Sequence, residues 1–328
     1  MEYRTLGKTG FAVSSISLGT WQVGGRWGSE FDSKNAEQIL QVAVDNGINF
    51  IDTADVYSGG ESEKAIGRFL KTRKEKIYVA TKCGRQITPH INEGYQPSIL
   101  KKYVEDSLRR LQLETIDLIQ LHCPPTQVYY RPEIFGLFDT LKKEGKIQHL
   151  GVSVEKVEEA LKAIEFDNVT TVQIIFNMFR QRPASLFFSE AKKKSIGIIA
   201  RVPLASGLLS GKFSYETDFQ PGDHRFFNRK GEAFDKGETF SGIDYSIGLQ
   251  AVEELRKIFP ADSNMAANAL RWIMQFDEIS TIIPGASQPS QVMNNLQALQ
   301  QGPLRHEEVQ QVQSVYEKFI KPTVHHLW

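Results

Sequence analysis

Eight short runs of mostly apolar, often β-branched residues recur along the chain and alternate with amphipathic stretches, and this restricts the fold more than any other feature. The runs cover 16–21, 49–54, 77–82, 116–122, 147–153, 171–176, 196–202 and 280–284. Between them, 37–46, 61–70, 97–111, 132–144, 155–164, 184–194 and 265–276 place apolar residues three and four apart, the spacing of a helix with one buried face, and 291–300 follows the last run in the same way. Runs such as IYVATK and IDLIQLH are apolar almost throughout, the pattern of parallel strands covered on both faces. Eight parallel strands, each followed by a helix, close into a (β/α)8 TIM barrel, which is the α/β fold expected here.

A doubly wound dinucleotide-binding sheet is the rival. No G-x-G-x-x-G follows the first run, because Gly24, Gly25 and Gly28 have the wrong spacing, and GLLSGK at 207–212 is one residue short of a P-loop. Three pieces lie outside the repeat: an N-terminal hairpin around 3–14, a long polar insertion at 206–246 after strand 7, and a C-terminal helix over 305–320 with its tail. No low-complexity linker separates them, so residues 1–328 read as a single barrel domain, a length such a barrel accommodates.

Composition removes several classes of function. Lys plus Arg total 39 and Asp plus Glu total 39, so the formal charge is zero and the basic footprint of a nucleic-acid binder is missing. No run of about 18 apolar residues exists to span a bilayer, so a membrane is not an expected partner either. Cys83 and Cys123 are too few for a disulfide framework and read as small packing residues. With no apolar signal region in MEYRTLGKTG, the expected location is the cytoplasm. Neither H-x-H after the first strand nor H-E-x-x-H occurs, so no metal site is expected. Oligomeric state leaves no mark in the sequence.

A barrel builds its active site at the carboxyl ends of its strands, and four polar residues stand there. Asp52 ends the second strand (NFIDTA), Tyr57 follows five residues later, Lys82 ends the third (IYVATK) and His122 ends the fourth (IDLIQLH). Two charges buried together need each other as partners. A Tyr hydroxyl has a pKa of about 10, and a neighbouring ammonium favours the phenolate, so Lys82 is expected to lower the Tyr57 pKa. Asp52 would hold Lys82, and a neutral His122 would orient a substrate oxygen. This set contains a general acid but neither nucleophile nor metal, and suits protonation of a carbonyl oxygen while another group delivers hydride.

The stretch GINFIDTADVYSGGESEKAIG at 47–67 resembles the first signature of the aldo-keto reductase superfamily, and the resemblance runs along nearly the whole chain. In motif detail it is similar to the branch that includes bacterial general-stress and inositol-operon reductases and potassium-channel β-subunits. The resemblance implies that Asp52, Tyr57, Lys82 and His122 are the catalytic tetrad, that Tyr57 is the general acid, and that NADPH (NADP⁺) lies extended across the barrel mouth. It also implies cofactor contacts. Gly19, Thr20 and Trp21, with Asp52, match the nicotinamide side, and Ser153 and Gln173 match the pair that holds the carboxamide, although Val154 stands where the family often has Asn. RVPLASGLLSGK at 201–212 resembles a pyrophosphate loop, with Pro203, Leu204, Ser206 and Lys212 in matching places. Arg201 takes the place of an aromatic residue that stacks on the nicotinamide, where its charge would repel an oxidised ring and favour NADPH. IPGASQPSQVMNN at 283–295 resembles the adenosine-phosphate motif, with Gly285, Ser287, Gln291, Asn294 and Asn295 on its binding positions. Gln291 replaces a frequent Arg, which leaves a 2′-phosphate to a basic residue of the insertion, Arg225 or Arg229.

The expected activity is reduction of an aldehyde or ketone, a small-molecule carbonyl, to the alcohol, reversible toward oxidation. A reading from another class is an NADPH-binding regulatory subunit with slow or vestigial turnover. Loops at 90–96 and 126–131, the insertion and the tail are expected to wall the pocket, with Tyr95, Tyr129, Tyr130, Phe226, Phe227 and Trp328 as aromatic candidates. Lys101, Lys102, Arg109 and Arg110 read as a solvated helix face.

Overall fold

The computed structural model describes residues 1–25 and 30–328, so Gly28 lies outside the described residues. Strands β1 (Tyr3–Thr5) and β2 (Ala12–Ser14) pair antiparallel as the expected hairpin. The barrel strands follow: β3 (Leu18–Gly19), β4 (Phe50–Asp52), β5 (Tyr78–Cys83), β6 (Ile116–His122), β7 (Ile147–Ser153), β8 (Val169–Ile175), β9 (Gly197–Arg201) and β10 (Ile279–Ile282). Each is parallel to its neighbour, in sequence order from β3 to β10. Parallel bridges Ile16–Ile282 and Gly19–Gly285 join first to last, with Ser17 N–H donating to Ile282 O at 2.8 Å and Gly19 N–H to Pro284 O at 3.1 Å. The sheet thereby closes into the (β/α)8 barrel.

Helices α1 (Ser33–Asp45), α2 (Glu61–Leu70), α3 (Pro97–Leu111), α4 (Pro132–Lys143), α5 (Val157–Ala163) and α6 (Phe187–Lys193) cover the outside in turn. After β9 come a short helix α7 (His224–Phe227), then α8 (Tyr245–Arg256) and α9 (Met265–Met274); α10 (Pro289–Leu296) follows β10. The starts obey local chemistry. Asp32, Asp244 and Asn264 accept first-turn amides of α1, α8 and α9, while α3, α4 and α10 begin with proline, whose missing N–H costs nothing there. The periodicity reading assigns no helix to α8, which begins at the end of the insertion; it packs on α11 (His306–Val315) and a π-helical turn (Tyr316–Ile320), and α12 (Lys321–Val324) follows that turn.

Alternation along each strand decides which residues meet inside the barrel. Phe50, Ala80, Leu118, Ile199 and Ile283 fill its lower interior with Leu6, Phe11 and Val13 of the hairpin as a floor. The floor fits closely: a Cβ on Gly197 would lie 2.8 Å from the Leu6 carbonyl carbon, and one on Gly7, at φ +51°, would collide with Gly197. Two residues further along the same faces come Asp52, Lys82 and Gln120, so the strands that build an apolar floor carry a polar mouth.

One surface expectation is corrected. Arg110 is not simply solvated, because its Nε donates to Glu63 Oε2 at 2.5 Å and Glu63 is fully buried. Glu63 faces inward from α2 to accept from Thr81 Oγ1 and needs a cation for its second oxygen.

Candidate functional site

Lys82, 1% exposed, reaches from β5 to three acceptors: Asp52 Oδ1 at 2.5 Å, Thr53 O at 2.8 Å and Tyr57 Oη at 3.2 Å. An ammonium has three protons, and all three are spent. Tyr57 Oη is therefore an acceptor toward Lys82, which leaves its own proton for another partner. Asp52 Oδ2 accepts from Gln120 Nε2 at 3.0 Å and Gln173 Nε2 at 2.7 Å, so the buried carboxylate is fully bonded. Gln120 escaped the sequence reading, although it lies two residues before His122 on β6 and so shares its face.

Burial pulls the Lys82 pKa down, but Asp52 and Tyr57 outweigh it and the net shift is upward, so Lys82 stays charged. For Tyr57 the expected direction is corrected. Burial raises the hydroxyl, Lys82 draws it down, and burial wins, so the group stays protonated well into alkaline solution. His122 stands edge-on to Tyr57 with ring centroids 6.1 Å apart. Burial and then the charges of Lys82, Arg85 and Arg201 hold it well below the usual imidazole range, so it is neutral, with Nδ1 lacking a hydrogen-bond partner.

Tyr57, His122 and Asp52 line a cavity of about 490 Å³ at the strand carboxyl ends, with Lys82 beneath. Gly19, Thr20, Trp21, Ser153, Gln173, Arg201, Pro203, Leu204, Ser206 and Lys212 border the same space, and so do Gly285, Gln291, Asn294 and Asn295. Ser287 stands behind them, its N–H and Oγ–H both donating to Gln291 Oε1 at 2.7 and 3.2 Å. Val154 is packed in the core.

The site tests well against an extended nicotinamide dinucleotide. Gln173 spends its amide nitrogen on Asp52 and Gln120, which leaves its carbonyl oxygen for a carboxamide N–H. A Cβ on Gly285 would meet nothing closer than 3.8 Å, so the main chain there is open to a ligand. The Lys212 ammonium has no hydrogen bond or ion pair among the described residues and suits a phosphate. Of the two basic candidates in the insertion only Arg225 reaches the cavity, and Asp223 holds it through Nε at 2.9 Å and Nη2 at 2.5 Å. Arg229 instead donates to Arg225 O at 2.7 Å and lies over Phe219 and Tyr245.

Arg201 is corrected too. Its Nη1 lies 2.6 Å from Glu238 Oε1, and its Nη2 lies 3.1 Å from Glu155 Oε2 and 3.0 Å from Val154 O. The guanidinium also reaches Cys123 Sγ at 3.6 Å, so it fills the centre of the Cys123, Glu155 and Glu238 cluster. Glu238 is held below its usual range because Arg201 outweighs burial, whereas burial and the Glu238 charge push Glu155 up to about 8. The repulsion expected from Arg201 is largely compensated.

The aromatic wall also differs. Tyr95 and Tyr129 are buried in the core, and Tyr130 and Phe226 point outward at 64% and 52% exposure. Trp21, Phe213, His224 and Phe234 line the cavity instead, with the Trp21 ring 4.8 Å from His224. Trp328 packs behind, over Arg180 at 4.0 Å, with its indole N–H donating to Asp235 at 2.8 Å. Loop residues so far apart in sequence give no periodic signal of which ring faces inward. Glu155, Glu238 and Arg85 were likewise invisible as site residues.

The sequence profile of the Aldo/keto reductase family matches residues 15–317. The chain belongs to the aldo/keto reductase family. Among relatives, the aldo-keto reductase YhdN of Bacillus subtilis (strain 168) is 29% identical over 99% of this chain and 96% of its own. A probable voltage-gated potassium channel subunit beta of Arabidopsis thaliana is 28% identical over 93% of each chain. Among solved structures, the glycerol dehydrogenase from Gluconobacter oxydans superposes with a TM-score of 0.78 at 29% identity, covering 97% of this chain and 96% of that one. As in that fold neighbour, this aldo/keto reductase is a (β/α)8 barrel, and no helix among its described residues is long and apolar enough to cross a membrane.

Proposed function

We propose that this chain is an NADPH-dependent reductase that converts an aldehyde or ketone to the alcohol, with Tyr57 as general acid. The observation that carries the reading is the Lys82 hydrogen-bond set, which leaves the Tyr57 proton directed away from Lys82 at the edge of the cavity. A nicotinamide cofactor held in the cavity would supply hydride for the carbonyl carbon. Tyr57 gives its proton to the carbonyl oxygen, and Lys82 at 3.2 Å stabilises the phenolate that remains until solvent reprotonates it. Asp52 keeps Lys82 charged and in place, and neutral His122 holds the carbonyl oxygen. Ser153 and Gln173 would hold the carboxamide, the 201–212 and 283–295 segments would hold the phosphates and adenosine with Lys212 as a cation for the pyrophosphate, and Arg225 is the basic residue at the cavity for a 2′-phosphate. The reaction takes place in the cytoplasm on one barrel domain.

The test is loss of NADPH absorbance with a panel of aldehydes, ketones and sugars, comparing native protein with Tyr57→Phe. Turnover falls at least about a hundredfold in the variant, while cofactor affinity stays nearly constant. Native-level turnover in Tyr57→Phe removes Tyr57 from the mechanism. The likeness to a channel subunit beta motivates the second reading, a regulatory subunit, which tight NADPH binding without turnover on any carbonyl would favour.

A further inference from the structure

The barrel mouth divides into two halves. The segments assigned above to cofactor leave β3, β7, β8, β9 and β10, whereas Tyr57, Lys82 and His122 belong to β4, β5 and β6. Arg85 lies in the second half, three residues after Lys82, and lines the same cavity as Tyr57 and His122. Its charge is felt by His122, His90 and Cys123, which places the guanidinium among these groups. Yet among the described residues Arg85 makes no hydrogen bond and no ion pair, although every other cavity-lining arginine has a carboxylate partner. Glu238 is nearby in the field but bonded to Arg201. Its nitrogens are not sealed away from the cavity, so a fork of five donors unengaged by any described residue is open to a ligand there, and its planar geometry matches a carboxylate.

We propose that Arg85 binds a carboxylate carried by the carbonyl substrate, so that this enzyme prefers oxo acids over neutral aldehydes and ketones. The inference rests on the reductase reading above and names the substrate class for that same site. Arg85 takes no part in the electron balance: hydride and proton go to the carbonyl as before, and the carboxylate passes through unchanged. A charge-assisted bidentate pair in such a place corresponds to about tenfold to a hundredfold in binding.

The experiment compares straight-chain oxo acids, with carboxylate one to four carbons from the carbonyl, against neutral carbonyls of equal length ending in methyl. For at least one length, native kcat/KM favours the acid at least about tenfold, and Arg85→Gln brings the ratio close to one. Arg85→Lys, which keeps the charge but loses the fork, recovers part of it. Independently of turnover, calorimetric titration with the unreducible dicarboxylate of that length weakens about tenfold or more in Arg85→Gln. Thermal melts of both variants establish that they fold. Equal kcat/KM for acid and neutral members across the native series overturns the inference and leaves the reductase reading standing. An acid preference that survives Arg85→Gln removes Arg85 from substrate recognition. Bound NADPH with no carbonyl turned over overturns the reductase reading and this inference together.

Discussion

Arg201 at the end of β9 and Glu238 in the insertion meet at 2.6 Å, an ion pair that ties the barrel wall to the segment folded across its mouth. With Glu155 on the other side, the guanidinium offers a flat, nearly neutralised surface to a ring.

Cofactor binding should then depend on pH through Glu155, which burial and Glu238 push up to about 8. Below that pH Glu155 is neutral, and above it the site gains a negative charge. NADP⁺, with its positive nicotinamide, should bind a few-fold more tightly relative to NADPH at pH 9 than at pH 7, a change of under about 1 kcal/mol. Fluorescence titrations of native protein and Glu155→Gln check this, and a ratio that moves equally in both would remove Glu155 as the cause.

Breaking the Asp52–Lys82 pair should be expensive, since both are buried and only 2.5 Å apart. Lys82→Met leaves Asp52 with Gln120 and Gln173 alone and should cost about 3–5 kcal/mol of stability in urea denaturation. Adding Asp52→Asn should restore part of that loss, because the uncompensated charge is gone. A double variant as unstable as the sum of its single changes would mean the pair is not coupled.

Asp55 is 1% exposed, and neither carboxylate oxygen has a hydrogen-bond partner. Burial and then the Glu63 charge, against Arg110 and Lys82, raise its pKa to about 7 from the usual 3.8. The native state thus holds a proton that the unfolded chain has lost, so stability from this group falls as pH rises from about 4 to about 7. Asp55→Asn should flatten that slope and be more stable than native by about 1 kcal/mol or more at pH 8. Parallel melts at pH 5 and pH 8 read the difference; identical slopes would show that Asp55 is ionised without cost.

Trp328 fastens the insertion from behind. Its indole N–H holds Asp235, its ring covers Gly242 so closely that a Cβ there would lie 2.2 Å away, and Arg180 stacks on it at 4.0 Å. Trp328→Ala should cost about 3 kcal/mol and speed limited proteolysis within 206–246 several-fold, with a raised Kd for NADPH. Unaltered proteolysis would show that the insertion holds itself in place.

Spacing alone made the barrel and its polar mouth readable. A strand's period of two places Asp52 above Phe50, Lys82 above Ala80 and His122 above Gln120, and no distant residue can change that. The boundaries of β6 and β7 follow from the same local pattern, and so does α3, whose proline start is local chemistry. What faces a side chain across the mouth is another matter. The upward shift of Tyr57 comes from burial by several elements, the compensation of Arg201 from a glutamate 37 positions later in an aperiodic insertion, and the lack of a carboxylate partner for Arg85 among the described residues from Glu238 and Glu155 being engaged by Arg201. Phe234 lines the cavity while Tyr95 and Tyr129 are core, though all three are aromatic loop residues to a reader of the chain. Dihedral preference and hydrophobic period act over a few residues, but solvation and Coulomb interaction act through space, so the first are written along the chain and the second exist only once it has folded.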